Sequence, residues 1–255
     1  MGIKYESNNY NQMKQVFKKQ LIEALKDQKE IFGDELFEKI EVKRKTTLMA
    51  KKKIAKSEAS ELFAEEKEEW EKAKTLEQLE GMINHCTACN LHKGRNKFVF
   101  GSGNPNADVM VVGEGPGAEE DKQGLPFVGR AGKLLTDILK AIKFERDDVY
   151  IANIVKCRPP DNRTPLPDEM DTCLPYLKKQ IEIIKPKLIL CLGLTAAKGL
   201  LKKRDSLTSM RGKVFEFENI KVMVTYHPAA LLRNPNWKRP CWEDLQKFRK
   251  LYDES

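Results

Sequence analysis

The chain has no long hydrophobic run. Of its 255 residues, 40% are hydrophobic and 33% are charged. No stretch approaches the roughly 20 consecutive apolar residues that a membrane-spanning helix needs. The opening segment, MGIKYESNNYNQMKQVFKKQ, has no apolar core of the kind that signal peptides carry. We therefore expect neither a membrane protein nor a secreted one, but a cytoplasmic protein without a membrane partner.

Proline and glycine are nearly missing from the first 80 residues, which hold none of the 12 prolines and two of the 15 glycines. These residues carry 17 basic and 17 acidic side chains, so their charges balance. Residues 81–255 carry 29 basic and 21 acidic side chains, which account for the whole net charge of +8. The 3–4 residue spacing of Phe17, Leu21 and Leu25 is typical of an amphipathic helix. We predict a charged, mostly helical N-terminal extension over residues 1–80. Residues 81–255 then form a basic, turn-rich domain that favours an anionic partner such as nucleic acid.

A basic stretch lies inside the extension. From Glu41 to Ser57 there are seven basic residues and one acidic residue. A solvated helix face, a linker and a nucleic-acid contact all fit this composition. Our hypothesis is that the extension docks a partner or extends a DNA contact through Lys43–Lys56.

Short apolar runs alternate with helical periodicity after residue 81. The predicted strands are Val109–Val112, Val149–Val155, Leu188–Leu192, Val214–Phe217 and Val222–Tyr226, and the predicted helices are Ala131–Ile142, Pro167–Ile184, Thr195–Leu201 and Trp242–Leu251. This alternation predicts an α/β sandwich with a mostly parallel central sheet. Polar motifs follow three strands: GEGPG, the segment from Asn153 to Cys157, and HPAALLRNP. We expect them to form the site, because sites in such sheets lie beyond the carboxyl ends of the strands.

Four of the six cysteines form a candidate metal site. Cys86 and Cys89 make a CxxC motif, and Cys157 is separated from Cys173 by 15 residues. Four thiolates could hold a tetrahedral zinc ion or an iron–sulfur cluster. The wide second pair does not fit a zinc ribbon and favours a bulkier cluster. The two remaining cysteines are interpreted as structural thiols: Cys191 and Cys241.

The glycine-rich loop after the first strand reads GEGPGAEEDKQGLPFVGRAGKLL. It contains no GxxxxGK[ST] motif and no GxGxxG motif with a distant acid. Its acids, among them Glu114 and Glu120, would repel a phosphate. They are better suited to positioning a water molecule or stabilising a developing cation. Phe127 in the same loop could pack in the core or stack on a flat ring.

Taken together, GEGPGAEEDKQGLPFVGRAGKLL, NIVKCRPPDNRTP and YHPAALLRNP resemble the family 4 uracil-DNA glycosylases over about residues 82–251. The resemblance implies a three-layer α/β/α sandwich that hydrolyses the N-glycosidic bond of deoxyuridine in DNA. Release of uracil leaves an abasic site, the first step of base excision repair. The four cysteines match the family's 4Fe–4S ligand pattern, and the cluster is expected to support the fold rather than the chemistry.

The resemblance also implies three groups of site residues: catalytic Glu114, Glu120 and His227; base-binding Gly113, Gly115, Phe127 and Asn153; and DNA-contacting Leu231, Leu232 and Arg233. The amide of Asn153 can pair with both O4 and N3–H of uracil, whereas cytosine presents the opposite pattern. A donor from His227 to O2 would stabilise the departing uracil anion. A carboxylate from Glu114 would stabilise the sugar cation or orient water.

Two other functions stay open on the sequence. One is a non-catalytic 4Fe–4S protein that binds uracil or single-stranded DNA, and the other is a zinc-stabilised nucleotide-binding protein. For the enzyme, we expect a monomer that acts on single- or double-stranded uracil-containing DNA, with uracil as its product.

Overall fold

The computed structural model describes residues 68–255. Six strands of this part form one sheet in the order β1-β3-β2-β4-β6-β5. The strands are β1 (Ser102–Gly103), β2 (Val109–Gly113), β3 (Tyr150–Asn153), β4 (Leu188–Leu192), β5 (Val214–Phe217) and β6 (Ile220–Thr225). The four central strands run parallel, and β1 and β5 pair antiparallel at the two edges. The sheet is therefore mostly parallel, as the alternation of elements predicts.

Helices cover both faces of the sheet. They are α1 (Leu76–Ile83), α2 (Ala118–Gln123), α3 (Arg130–Ala141), α4 (Pro167–Ile184), α5 (Leu194–Leu201), α6 (Leu207–Met210), α7 (Pro228–Arg233) and α8 (Lys238–Asp253). Short 3-10 turns join several of them: Glu69–Lys72, Asn90–Gly94, Arg146–Asp148, Pro160–Asn162 and Pro235–Trp237. None of these helices, within residues 68–255, has both the length and the apolar character to cross a bilayer.

The central strands β2, β3 and β4 bury side chains on both faces, which is why they read as continuous apolar runs. Along β2, Met110 and Val112 pack with α1, α4 and α5, whereas Val109 and Val111 pack with α3 and α8. This is the two-residue period of a strand dividing its side chains between two cores. The two cores and the central sheet make the three-layer α/β/α sandwich that the resemblance implies.

Three predicted elements have the bounds that the sequence indicates, namely Pro167–Ile184, Leu188–Leu192 and Val214–Phe217. The strand predicted at Val149–Val155 is shorter, because its neighbour β2 ends at Gly113, opposite Asn153. The last helix begins at Lys238 rather than Trp242, since a proline is tolerated in the first turn of a helix.

The helix α1 contributes to one of the two cores through Leu76, Leu79 and Ile83. The boundary predicted near Gly81 therefore falls inside an element of the folded unit. The predicted helices of residues 10–67, including the basic stretch from Glu41 to Ser57, lie outside the described residues.

Candidate active site

A cleft of about 550 Å³ lies at the carboxyl ends of the four parallel strands. The segments that line it follow β2, β3, β4 and β6 in the chain. The residues predicted for the site that line the cleft are Glu114, Gly115, Glu120, Phe127, Asn153, His227 and Arg233. The sheet thus brings together three motifs that are more than 100 residues apart at their extremes, as expected for a parallel α/β fold.

Gly113, at the end of β2, allows two other predicted residues to meet. A Cβ atom at this position would lie 2.3 Å from Oδ1 of Asn153 and 2.6 Å from the ring of Phe127. Only glycine leaves room for this approach. Phe127 packs in the core with residues of α3 and also lines the cleft. Its packing role is thus shown, and stacking on a flat ring stays a prediction.

Asn153 presents a buried amide to the cleft. Its side chain is 2% exposed, and its Oδ1 atom accepts no hydrogen bond within residues 68–255. A buried carbonyl oxygen without a partner costs about 1–3 kcal/mol. An N–H group of a ligand in the cleft would remove that cost.

His227 is the N-cap of α7 and is held in one tautomer. Its Nδ1 atom accepts a hydrogen bond from the backbone N–H of Ala229 at 3.1 Å. In a neutral imidazole the proton then lies on Nε2, which becomes a donor. Burial, and to a lesser extent the charge of Arg233, lowers the pKa of His227 to about 4. The ring is therefore neutral at physiological pH, and it lies 5.4 Å from the ring of Phe127 between centroids.

The two candidate acids differ in their surroundings. Glu120 accepts hydrogen bonds from the backbone N–H groups of Val128 and Gly129 at Oε1 and of Gly117 at Oε2, at 2.9, 3.0 and 3.2 Å. Both oxygens thus join two parts of the glycine-rich loop. The carboxylate of Glu114 makes no hydrogen bond or ion pair with the described part of the chain and lines the cleft.

The two leucines of α7 point in different directions. Leu231 is 2% exposed and packs in the core, whereas Leu232 is 39% exposed. In this structure the protein covers the side chain of Leu231, so Leu232 is the better placed of the two for a DNA contact, which stays a prediction. Leu232 is exposed, and Arg233 lines the cleft.

The loop between β3 and α4 forms a wall of the cleft that sequence reasoning missed. Asn162, Arg163 and Thr164 line the cleft. The guanidinium of Arg163 donates to both carboxylate oxygens of Glu169, at 2.6 and 2.8 Å, and holds the pKa of that carboxyl below its usual range. Glu169 also accepts from the backbone N–H of Leu166 at 2.7 Å. The sequence signal for these contacts was a glutamate, Glu169, at the third position of a helix that begins with proline.

The four predicted metal ligands lie near one another. Cys86 and Cys89 follow α1, Cys157 follows β3, and Cys173 lies in α4. Burial raises the pKa of the Cys157 thiol, and the neighbouring Cys89 and Cys86 raise it further. The same causes act on Cys173, where Cys157 and Cys89 are the neighbours. The other two cysteines are buried in the cores and are structural, as interpreted: Cys191 and Cys241.

N–H groups point at three of these sulfurs. The backbone N–H of Ala88 donates to Sγ of Cys86 at 3.5 Å. Arg95 donates from Nη1 to Sγ of Cys157 at 3.2 Å, and the backbone N–H of Lys156 donates to Sγ of Cys173 at 3.3 Å. Hydrogen bonds of this kind stabilise the thiolates of iron–sulfur clusters. Among residues 68–255, no three side chains of His, Cys, Asp or Glu converge at the spacing of a single metal ion.

Comparison with known proteins gives consistent matches. The family described as "Uracil DNA glycosylase superfamily" matches residues 100–246. A protein of Sulfurisphaera tokodaii named type-4 uracil-DNA glycosylase is 47% identical over 186 residues, covering 69% of this chain and 84% of that protein. Proteins of the same name from Pyrobaculum aerophilum and Thermotoga maritima are 45% and 46% identical, covering 68% and 69% of this chain and 92% and 94% of their own lengths. On these matches, the chain belongs to the uracil-DNA glycosylase superfamily, in its type-4 group.

Proposed function

We propose that the cleft at the carboxyl edge of the sheet binds a uracil extruded from DNA and hydrolyses its N-glycosidic bond. As a member of its family, the protein is a uracil-DNA glycosylase, a hydrolase of DNA repair that releases uracil and leaves an abasic site. The observation that carries the residue assignment is the unpaired, buried Oδ1 atom of Asn153 beside the ring of Phe127. The comparisons give no support to a non-catalytic role.

Base recognition follows from these two side chains. Oδ1 of Asn153 would accept N3–H of uracil, and its Nδ2 group would donate to O4. Cytosine has an acceptor at N3 and a donor at N4, so both contacts would be lost and the amide would stay unpaired. Stacking on Phe127 would add about 1–3 kcal/mol. Extrusion of the base costs a few kcal/mol, and Leu232 and Arg233 would contact the DNA that it leaves.

Cleavage produces a uracil anion and a sugar cation, which His227 and Glu114 respectively would stabilise. The C1′–N1 bond breaks with its electron pair on uracil, which becomes an anion delocalised onto O2. Donation from Nε2–H of His227 would stabilise that anion. Water then attacks C1′ of the sugar cation, and the Glu114 carboxylate would orient the water and accept its proton. Glu120 is better described as a positioning residue, because backbone N–H groups already occupy both of its oxygens.

We propose that the cysteine quartet holds a 4Fe–4S cluster. The ligands would be Cys86, Cys89, Cys157 and Cys173, and their mutual proximity and N–H donors support this assignment. When bound, the cluster supplies a cross-link between α1, the segment after β3 and α4. No bond-breaking step at the sugar uses it. Strand preference and the monomeric state stay predictions.

The test is cleavage of an oligonucleotide that contains one deoxyuridine, single-stranded or paired with guanine, followed by hot alkali. We expect strand breaks at uracil and none in a thymine control. Asn153→Ala should lower the rate by orders of magnitude. The matched variant Asn106→Ala removes an exposed amide outside the cleft and should leave the rate unchanged. Absence of cleavage by iron-loaded protein would overturn the proposal, and equal rates for Asn153→Ala and wild type would overturn the base-recognition role.

A further inference from the structure

Phe127 has a backbone conformation that residues with a side chain rarely adopt. Its φ is +52°, in the left-handed region. Such a conformation costs on the order of 1–3 kcal/mol for a residue other than glycine and persists only where the surroundings impose it. Eight non-glycine residues of the described part have positive φ, and Phe127 is the only apolar one among them. The surroundings of this one residue therefore need an explanation.

Three contacts impose the conformation. Arg146 donates from Nη2 to the carbonyl of Pro126, just before the ring, at 2.7 Å. Glu120 binds the two N–H groups just after it. A Cβ atom on Gly132 would lie 1.8 Å from the carbonyl oxygen of Phe127, so α3 can approach this carbonyl only through a glycine. The three peptide groups from Pro126 to Gly129 are thus all fixed.

Arg146 acts from outside the cleft. It lies in the 3-10 turn that precedes β3 and does not line the cleft. Its second nitrogen, Nη1, lies 3.4 Å from the hydroxyl of Thr136 on α3, so one guanidinium connects the loop to the helix that follows it. Its hydrogen bond to Pro126 joins residues that are 20 positions apart in the sequence, and no local motif predicts this contact.

We infer that Arg146 and Gly132 are positioning residues for uracil excision. They hold Phe127 in the strained conformation that places its ring against Gly113 and beside Asn153, where the base would stack. Holding the ring in place before the base arrives avoids the entropy cost of ordering it during binding. This inference rests on the proposed function of the cleft.

The main test is a double-mutant cycle between Arg146 and Phe127. Arg146→Met should lower kcat/KM by about 5- to 50-fold in the wild-type background, within the range that loss of base stacking allows. In a Phe127→Ala background the same change should cost less than about 2-fold, because no ring remains to be misplaced. Arg146→Lys should restore part of the rate. Gly132→Ala should show the same dependence on Phe127.

Arg249→Met is the matched control. Arg249 donates to the loop carbonyls of Ile142 and Lys143 at 3.3 and 3.1 Å, at the far end of α3. This variant loses an arginine–carbonyl contact of the same kind, away from the cleft, and should keep its kcat/KM. Iron content and Tm, measured for every variant, identify any loss that comes from unfolding.

Two results would overturn the inference: an unchanged kcat/KM in Arg146→Met, or an equal loss in the two backgrounds. Amide hydrogen exchange of residues 126–129 gives a readout that does not depend on activity. Arg146→Met should speed exchange there, and Arg249→Met should not. If the wild-type protein released no uracil, the proposed function would fail, whereas the exchange result would still decide whether Arg146 holds the loop.

Discussion

His227→Asn separates the two roles that the structure gives His227. The imidazole caps α7 through Nδ1 and offers Nε2–H to the cleft. Asparagine is a good N-cap residue, so this variant keeps an acceptor for the N–H of Ala229. It is too short to place a donor where Nε2 lies. We therefore expect a large loss of activity with little loss of stability.

The size of that loss follows from the charge that Nε2–H stabilises. Removing one preorganised donor to a developing oxyanion costs about 10²- to 10³-fold in kcat, or roughly 2.7–4 kcal/mol. Single-turnover release of uracil measures it without interference from product release. His227→Ala should lose a similar factor in rate and, in addition, about 0.5–2 kcal/mol of stability with the cap.

The pH dependence gives a second check on the same residue. Its pKa is about 4 in the folded chain, below the ordinary value of about 6.5. Between these values the unfolded chain binds more protons than the folded one, so stability rises with pH across this window. As the pH falls through it, wild type should lose on the order of 3 kcal/mol relative to His227→Asn. The rate should show no acid limb from this group near pH 6.5.

Three outcomes would contradict this reasoning. A loss of activity below about 10-fold in His227→Asn would mean that Nε2–H does not face developing charge. An acid limb near pH 6.5 that disappears in the variant would mean that the imidazole titrates in the functional range. Stability curves of equal slope between pH 4 and 6.5 would mean that the ring is not buried as described.

Three further predictions concern recognition, the cysteine quartet and the core. Asn153→Asp replaces the amide donor by an acceptor and should lower uracil release by about 100-fold or more, measured with the deoxyuridine oligonucleotide. Cys173→Ser should lose bound iron and visible absorption, whereas Cys191→Ala, at a buried thiol outside the quartet, should keep both; equal iron in the two would remove Cys173 from the ligand set. Arg211→Met leaves the carboxylate of Asp244, which is 2% exposed, without the guanidinium that donates to it at 2.9 and 3.1 Å. Urea unfolding should then show a loss of about 3–5 kcal/mol, and a loss below about 1 kcal/mol would show that Asp244 does not depend on this ion pair.

Each element could be predicted from the sequence where the signal is local. The apolar run Leu188–Leu192 and the periodicity of Pro167–Ile184 predict the bounds that the structure has. The motifs also predict which segments form the cleft, because polar residues directly follow the predicted strands. Side-chain pattern along the chain is sufficient for such features, since a strand or helix buries its own faces.

Choices between neighbouring residues needed the tertiary structure. Glu114 and Glu120 lie six positions apart in one acidic loop, and the backbone N–H groups of Val128 and Gly129 distinguish them. Leu231 and Leu232 are the same residue type in sequence, but the turn of α7 buries only the first. Neither distinction has a local signal.

By itself, the sequence determined the fold class, the cysteine quartet and the membership of Asn153 and His227 in one site. The tertiary structure alone decided the strand order, the tautomer of His227, the strained backbone of Phe127 and the reach of Arg146 to that loop. The physical reason is that side-chain periodicity and motif order are properties of consecutive residues. Hydrogen bonds, burial and close approach at a glycine are set by groups that the sheet brings together from distant parts of the chain.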